Sequence, residues 1–526
     1  MELDRLTCDR ARRARDPRFD GRFFIAVTTT RVYCRPICPV RGPKDEHVRY
    51  FSTAAAAEAA GFRPCLRCRP EASPGTPAWA GTSSIVSRAL RLIGDGAIRG
   101  STERSRAGSC EELAERLGVT SRHLLRLFVQ HVGATPLQVA LTRRMHFAKQ
   151  LLDQTSLPIA QVAFASGFGS VRRFNSHVRR IYARTPTDLR RLSRRSPTDA
   201  SAYVLRLAYR PPYDWDAMLA FLAARATPGV EVVDGSRYRR TIQANGHAGT
   251  IEVARVAGAA AVDVSVHLPD SSSLLLIVER VRRLFDLAAD PEVIGDHLGA
   301  DPWLRAAWSR HCGIRVPGAW DGFELAVRAI LGQQVSVRGA TTIAGRVAAA
   351  FGTAVDAEDG LARLFPTPAK LADARLEDAG VMPSRAATIR RLARATVDGA
   401  IALDVCYDTD AAINALTSIP GIGPWTAAYV ALRALGEPDA FPSGDLVLRQ
   451  RTGDDNAAAL ARRAERWRPW RAYAAMLLWQ DSAAAARPHV EAEDAAPNDD
   501  RAARVRTARR SGAGVSGQRA ERLHAR

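Results

Sequence analysis

The chain has 526 residues, of which 46% are hydrophobic and 25% charged, and its formal net charge at pH 7 is +20. At about 150 residues per domain, this length excludes a single hydrophobic core and predicts roughly three or four domains. The basic excess favours a polyanionic partner, although the Arg and Ala bias of a GC-rich genome would give the same excess. No apolar run approaches the roughly 18 residues of a membrane span, and residues 1–15 lack the apolar stretch of an export signal, so we expect a cytoplasmic protein without a membrane partner.

Four stretches rich in Pro, Gly, Ser or charge interrupt the hydrophobic periodicity and predict domain boundaries. Between them, apolar residues recur with helical spacing in 85–192 and 292–485, whereas 203–283 combines β-rich runs with helical patterns. From 487 onwards almost nothing apolar is left to bury, so we expect a disordered Arg- and Ala-rich tail, which is either functionless or touches DNA nonspecifically. The predicted segments are therefore 1–75, 85–193, 202–286, 290–486 and 487–526.

Four of the eight cysteines form two close pairs, Cys34 with Cys38 and Cys65 with Cys68. In a chain without an export signal, this spacing argues against disulfides and for tetrahedral Zn²⁺, because each pair can supply two ligands from one short turn. Four unrelated buried thiols are the alternative, which the paired spacing disfavours. We therefore predict one Zn²⁺ bound by all four residues. Zinc keeps a bound thiol deprotonated at neutral pH, which makes it a nucleophile.

Residues 4–71, and above all Val27–Pro39 and Gly61–Pro70, closely resemble the N-terminal domain of the Ada methylation-response proteins. This resemblance implies that Cys34 accepts a methyl group irreversibly from a methylphosphotriester in the DNA backbone; a purely structural zinc ion is the alternative. Methylation changes the formal charge of the centre from about −2 to about −1, so we expect it to tighten DNA binding. The predicted phosphate contacts around the cysteines are Arg35, Arg41 and Arg67.

Two helix-turn-helix patterns follow, each with apolar residues at helical spacing on either side of a glycine turn. The first is Leu113–Phe128, the second is Ile159–Phe174, and a helix over Pro136–Leu152 is predicted between them. The pair, within residues 107–192, resembles the DNA-binding domain of AraC-type transcription regulators. We therefore expect promoter DNA and RNA polymerase as partners. The residues predicted to contact DNA are Arg122, His123, Arg126, Arg172, Arg173 and Asn175.

Leu416–Ala427 is a helix-hairpin-helix pattern, in which Gly421 and Gly423 allow a tight turn and offer backbone N–H groups to a DNA phosphate. Asp445 follows this hairpin. A carboxylate there can stabilise the positive charge that develops on deoxyribose when a base is cleaved off, and it can orient the attacking water. The alternative role is an N-cap at a helix start. Asp445 follows the hairpin at the distance seen in the helix-hairpin-helix glycosylase superfamily and matches the catalytic aspartate of that family, so this resemblance implies that Asp445 is catalytic.

Residues 203–485 are similar to the AlkA type of 3-methyladenine glycosylase. The similarity implies an aromatic pocket that stacks on a flipped-out, often cationic alkylated purine in double-stranded DNA, formed by Trp425, Tyr429 and Trp479. Trp425 stands where lyase-active relatives carry a Schiff-base lysine, which predicts hydrolysis alone. Gln334 stands where AlkA-like enzymes often place an apolar wedge that fills the gap left by the flipped base.

These patterns together predict a multidomain protein: a small zinc-bound α+β domain, an all-α double helix-turn-helix domain, an α+β subdomain and an all-α helix-hairpin-helix glycosylase domain. The predicted function combines methylphosphotriester sensing, transcription activation and excision of alkylated bases such as 3-methyladenine. The alternative is a methylation-sensing transcription factor with an inactive glycosylase domain. The sequence contains no Pro-Cys-His-Arg motif, the signature of the second methyl-acceptor site of the Ada family, so the resemblance does not imply repair of O6-methylguanine.

Overall fold

A computed structural model of the protein describes residues 4–40, 42–74, 84–98, 109–192, 202–357, 359–403 and 409–485. The predicted tail at 487–526 and the predicted phosphate contact Arg41 lie outside the described residues. The chain up to Asp481 belongs to one unit, so the segments distinguished in the sequence pack against one another. Within the described part of the chain, no helix is both long and apolar enough to cross a membrane.

The N-terminal segment contains a small mixed sheet. Its elements are α1 (Arg5–Ala14), β1 (Phe24–Val27), β2 (Val32–Cys34), β3 (Val48–Phe51), α2 (Ala54–Ala59), β4 (Arg63–Pro64) and 3-10 helices at Pro17–Phe19, Asp45–His47 and Pro70–Ala72. The strand order is β3-β1-β2-β4; β1 is antiparallel to both neighbours, whereas β2 and β4 run parallel. The parallel pairing matters because it places the carboxyl ends of β2 and β4 side by side.

The next segment is helical, as predicted. Its described helices are α3 (Ser84–Gly94), α4 (Cys110–Arg116), α5 (Ser121–Val132), α6 (Pro136–Gln154), α7 (Ile159–Ala165), α8 (Val171–Tyr182) and α9 (Pro186–Arg191). α4 with α5, and α7 with α8, form the two helix-turn-helix units, and α6 joins them. Thr120 and Ser170 cap α5 and α8 by accepting from the backbone N–H groups of the first turns. Phe128 and Phe174 are fully buried and hold each second helix on its unit.

The α+β segment folds as one antiparallel sheet with two helices. Its elements are β5 (Tyr203–Ala208), α10 (Trp215–Ala223), β6 (Glu231–Asp234), β7 (Arg237–Ala244), β8 (His247–Arg255), β9 (Ala261–His267) and α11 (Leu274–Leu284). The strand order is β5-β9-β8-β7-β6. The two runs that alternate most clearly in the sequence, Tyr203–Leu207 and Val262–Val266, lie in the neighbouring strands β5 and β9.

The second helix-turn-helix unit and this sheet share one hydrophobic core, which contains Phe174 and Tyr182 as well as Leu205 and Trp215. Two glutamines of α6 add hydrogen bonds between this helix and β5. Gln150 Nε2 donates to the carbonyl of Arg206 at 3.0 Å, and the N–H of Arg206 donates to Gln154 Oε1 at 2.9 Å. The edge strand β5 is therefore covered by α6 instead of being left open to solvent.

The C-terminal segment is helical. It comprises α12 (Pro291–Leu298), α13 (Pro302–Arg310), α14 (Gly322–Leu331), α15 (Val337–Phe351), α16 (Pro368–Leu371), α17 (Pro383–Val397), α18 (Thr409–Thr417), α19 (Pro424–Arg433), α20 (Leu446–Thr452), α21 (Ala457–Ala464), α22 (Arg471–Ala485) and 3-10 helices at Leu376–Ala379 and Glu465–Trp467. Two cores lie within it, and α19 belongs to both: Ala427 and Val430 pack in one, Ala431 and Leu432 in the other. We call the parts of this segment that are built around the two cores its two lobes. The hairpin between α18 and α19 thus lies where the two lobes meet.

Candidate metal centre, nucleic-acid interface and active site

The four predicted zinc ligands converge at one end of the N-terminal sheet. Cys34 ends β2, Cys38 lies in the turn after it, and Cys65 and Cys68 lie in the turn after β4. The N–H of Cys65 donates to the carbonyl of Tyr33 at 2.9 Å, which ties the second pair to the first. All four sulfur atoms lie within 4.8 Å of one another. Four thiolates at this spacing are a tetrahedral donor set, and they fit one Zn²⁺ as predicted.

Arg35 packs against the cysteine centre. Its side chain is only 12% exposed and forms an ion pair with Asp20, with Nε 2.8 Å from Oδ1. Arg35 also donates from Nη1 to the carbonyl of Cys68 at 3.1 Å and from its backbone N–H to the Cys68 sulfur at 3.4 Å. The sequence predicted a phosphate contact, but the structure places this guanidinium against protein groups. Arg67, by contrast, is exposed beside the cysteines.

The recognition-helix candidates lie on α5 and α8. Arg122, Arg126, Arg172 and Arg173 are exposed, whereas His123 and Asn175 are half-buried. His123 Nδ1 lies 2.9 Å from Arg126 Nη2, and the amide oxygen of Asn175 is shielded from solvent. The basic side chains can therefore reach a DNA groove or backbone more readily than Asn175 can.

The zinc centre and the second helix-turn-helix unit are neighbours. β4 contacts α8, and Leu66, between two of the zinc ligands, packs against the core shared by that unit and the sheet. On the other side, Tyr33 on β2 donates to Glu58 Oε1 at 2.9 Å and lies 3.1 Å from Nε2 of His146 on α6. Sequence reasoning missed these contacts because Tyr33 and His146 are far apart in the chain.

Asp445 lies at the start of α20, where its carboxylate accepts three N–H groups. Trp425 Nε1 donates to Oδ2 at 2.9 Å, Trp479 Nε1 donates to Oδ1 at 3.1 Å, and the backbone N–H of Leu448 donates to Oδ1 at 3.0 Å. Asp445 is therefore the N-cap of α20, which was the alternative considered from the sequence, and it also faces the predicted pocket. Because both oxygens accept, the carboxylate has one fixed orientation.

The three predicted pocket aromatics are in contact. The rings of Trp425 and Tyr429 are stacked, with centroids 5.3 Å apart and an interplanar angle of 9°, and Trp479 meets Tyr429 edge-on at 6.3 Å. Arg433 Nη1 donates to the Tyr429 hydroxyl at 2.9 Å. Burial alone would raise the pKa of Tyr429, but the positive charges of Arg433 and Arg225 outweigh it and lower that pKa to about 8. Sequence reasoning did not single out either arginine.

The hairpin glycines differ in their constraints. Gly421 has φ +99°, and a Cβ there would lie 2.1 Å from Thr388 Oγ1, whereas Gly423 has open space around it. Gln333 braces the turn by donating from Nε2 to the carbonyl of Gly421 and to Thr426 Oγ1, each at 3.0 Å. Gln333 thus fixes the turn from the protein side, and Gly421 and Gly423 are exposed to solvent.

Gln334, the predicted wedge, is exposed in the middle of the loop between α14 and α15. Its φ of +54° lies in the left-handed region, so the chain turns sharply at this residue. Val335 and Val337, which follow it, are 37% and 43% exposed. The loop therefore presents apolar surface beside the glutamine.

Comparison with known proteins relates four parts of the chain to known families. Family models match residues 7–71 (metal binding domain of Ada), 113–192 (helix-turn-helix domain), 204–321 (AlkA N-terminal domain) and 327–468 (HhH-GPD superfamily base excision DNA repair protein). A relative from Mycobacterium tuberculosis, named a probable bifunctional transcriptional activator/DNA repair enzyme AlkA, is 44% identical over 91% of this chain and 97% of its own length. The chain belongs to this Ada–AlkA fusion family.

Two further relatives each match one part of the chain. The DNA-3-methyladenine glycosylase 2 of Escherichia coli is 37% identical over 52% of this chain and 95% of its own length. The bifunctional transcriptional activator/DNA repair enzyme Ada of Escherichia coli is 38% identical over 23% of this chain and 31% of its own length. These findings confirm the predicted fusion, the multidomain fold class and the zinc ion of the Ada–AlkA protein.

Proposed function

We propose that this protein excises alkylated purines from double-stranded DNA by hydrolysis, and that it also senses DNA methylation and activates transcription. The observation that carries the first activity is the Asp445 carboxylate, held by two indole N–H groups at the wall of an aromatic pocket. The hairpin that precedes Asp445 in the chain is suited to binding a DNA phosphate. A flipped, cationic purine stacked on Trp425 would bring its glycosidic bond close to Asp445.

In the proposed excision, the aromatic rings bind the electron-poor base and Asp445 stabilises the positive charge that develops on the sugar as the bond breaks. The carboxylate also orients the water that attacks the sugar carbon. Trp425 occupies the hairpin position at which a lysine would form a Schiff base, so the product is an abasic site with an intact strand.

Asp445→Asn separates this chemistry from folding. Asparagine still caps α20 through its amide oxygen, but its amide nitrogen cannot accept the second indole N–H, so stability should fall by about 1–3 kcal/mol. Excision should fall by roughly a hundredfold or more, as for loss of one key electrostatic group. The assay is single-turnover release of 3-methyladenine from methylated duplex DNA. Equal, background release by both proteins would leave only the alternative, a methylation-sensing transcription factor whose glycosylase domain is inactive.

For the second activity, we propose that Cys34 is the methyl acceptor. Zinc supplies a deprotonated, nucleophilic sulfur when bound. The Cys34 sulfur then forms a bond to the methyl carbon of a methylphosphotriester, the bond between that carbon and the phosphate oxygen breaks, and its electron pair stays on the resulting phosphodiester anion. The centre becomes less negative by one charge, which weakens its repulsion from phosphate.

Exposed basic groups around the centre and on the recognition helices support a DNA-facing role for this half of the protein. Arg67 lies beside the cysteines, and Arg172 and Arg173 lie on α8, next to β4. Through these contacts the methylated protein would bind promoter DNA more tightly and recruit RNA polymerase.

Isotope-labelled methylphosphotriester DNA tests this assignment. The label should appear on the peptide that contains Cys34, and Cys312→Ser, which changes an exposed cysteine outside the centre, should accept it equally well. A zinc-loaded protein that never acquires the label would show that the zinc ion is structural only. Promoter affinity of the labelled and unlabelled protein then measures the expected gain.

A further inference from the structure

Tyr429 differs from its pocket neighbours because its hydroxyl points into a cluster of buried charges. Arg433, only 5% exposed, donates to that hydroxyl from Nη1 at 2.9 Å. Its Nε donates to the carbonyl of Pro317 at 2.7 Å, and its Nη2 donates to the carbonyl of Gly318 at 2.9 Å. All three guanidinium nitrogens are engaged, so Arg433 cannot turn away from the tyrosine.

The groups around this pair leave the phenol oxygen as the next available acceptor. Arg328 pairs with Glu231 at 2.8 Å and with Glu324 at 3.0 Å, and Arg240 pairs with Glu324 at 2.7 Å. Glu231 and Glu324 are thus already paired with other arginines. Arg433 and Arg225 therefore have the Tyr429 oxygen as a partner for their charge.

The charges that line the small cavity beside Tyr429 do not balance. Four arginines face three carboxylates, which leaves one surplus positive charge; these residues are Arg225, Arg240, Arg328, Arg433, Glu231, Asp321 and Glu324. A single ionised phenol would cancel this surplus. Buried charges without compensation are costly, so the cluster favours loss of the Tyr429 proton.

The pKa of the half-buried Tyr429 shifts in the opposite direction to that of five buried tyrosines. Burial raises the pKa of Tyr33, Tyr182, Tyr213, Tyr238 and Tyr473 well above the ordinary value, whereas Arg433 and Arg225 overcome burial and lower the pKa of Tyr429 to about 8. Tyr429 should therefore ionise before these five.

We propose that Arg433 is a positioning residue for Tyr429, and that the pair makes the base pocket selective for positively charged alkylated purines over neutral base lesions. This inference rests on the proposed glycosylase function. Trp425 stacks on the Tyr429 ring, so a phenolate there adds negative charge directly behind Trp425 and attracts a cation bound on Trp425 more strongly than a neutral phenol does. A neutral lesion gains only the stacking. The preference should therefore increase as pH rises through about 8.

The selectivity test compares two lesions in single-turnover excision across this pH range: 3-methyladenine, which carries a fixed positive charge, and a neutral etheno adduct of adenine. For the wild type, the ratio of the two rates should rise severalfold with pH. Tyr429→Phe should lower the ratio and remove its pH dependence. Tyr473→Phe is the matched control, because its hydroxyl bonds to Asp286 outside the pocket. If Tyr429→Phe keeps the wild-type ratio and slope, the proposal is wrong.

A spectroscopic titration tests the same point without any activity. Ultraviolet difference spectra of the DNA-free protein should show one tyrosine ionising before the others, and Tyr429→Phe should remove that step. Arg433→Gln should move it to higher pH, and Arg433→Lys, which keeps the charge, should move it less. An early step that persists in Tyr429→Phe, or no early step in the wild type, overturns the proposal. A wild type that shows the step but excises neither lesion would instead refute the proposed glycosylase function.

Discussion

The two indole N–H groups that hold Asp445 lead to a quantitative prediction for Trp479→Phe. The substitution keeps an aromatic ring in the pocket wall but removes the 3.1 Å bond from Nε1 to Oδ1. A hydrogen bond to a charged group contributes about 1.5–3 kcal/mol, and each 1.36 kcal/mol of transition-state stabilisation is about tenfold in rate. Excision should therefore slow by roughly tenfold to a hundredfold.

The measurement is single-turnover base release at saturating enzyme, which isolates the chemical step. Trp467→Phe is the matched control: its indole also donates to a carboxylate, Asp301 Oδ2 at 2.8 Å, but in the core of the lobe. That variant should lose stability and keep its rate. Excision by Trp479→Phe at the wild-type rate would show that orientation of the Asp445 carboxylate by the indoles does not contribute to catalysis.

A double variant tests whether the two indole N–H groups act together on Asp445. Trp425→Phe removes the other indole bond, to Oδ2, and should also slow excision. Because both bonds orient one carboxylate, the combined loss in Trp425→Phe/Trp479→Phe should be smaller than the product of the two single losses. Independent, multiplicative losses would mean that the two indoles act separately.

Three further predictions concern the hairpin, the wedge and a buried acid. Gly421→Ala should destabilise the protein by roughly 1–3 kcal/mol in denaturant unfolding, because its backbone is left-handed and the new methyl would collide with Thr388. Gly423→Ala is the control, and it should leave the free energy of unfolding unchanged because Gly423 has open space around it. Gln334→Leu should speed excision severalfold in single-turnover assays, since an apolar wedge fills the gap left by a flipped base better. Burial raises the pKa of Asp286 to about 6, so the native state keeps a proton that the unfolded chain releases from about pH 4 upwards. The native state therefore loses stability as the pH rises from about 4 to about 6. In urea unfolding, the stability gained by Asp286→Asn should grow over this range, stay constant above about pH 6 and vanish below about pH 4, where the carboxyl is neutral in both states.

Local patterns predicted most of the architecture. The cysteine pairs lie on short turns, the two glycine-centred patterns became helix-turn-helix units, and β5 and β9 follow the two clearest alternating runs. These features depend on residues close together in the chain, where spacing determines which side chains share a face. Asp445 is the instructive case, because the structure shows the N-cap and also places the same carboxylate against Trp425 of the predicted pocket, whereas its catalytic role stays a prediction.

Contacts between distant segments could not be predicted in this way. Arg35 was expected to reach DNA phosphate, but Asp20 neutralises it within the fold, and no spacing rule identifies that partner. The sequence pattern does not distinguish Arg433 from other helix arginines, because its partners, the carbonyls of Pro317 and Gly318, lie far away in the chain. One sequence contains no signal for such pairings, because they depend on how whole lobes pack.

The core shared by the second helix-turn-helix unit and the antiparallel sheet affects how the protein unfolds. Phe174 and Tyr182 cannot lose their packing without exposing the side chains of β5 and α10, so the regulatory and repair halves should melt together in one cooperative transition. DNA bound at either half then adds its binding free energy to the unfolding free energy of both. A lesion held in the glycosylase pocket would thereby protect the promoter-binding helices from heat and proteolysis, even with no contact between them.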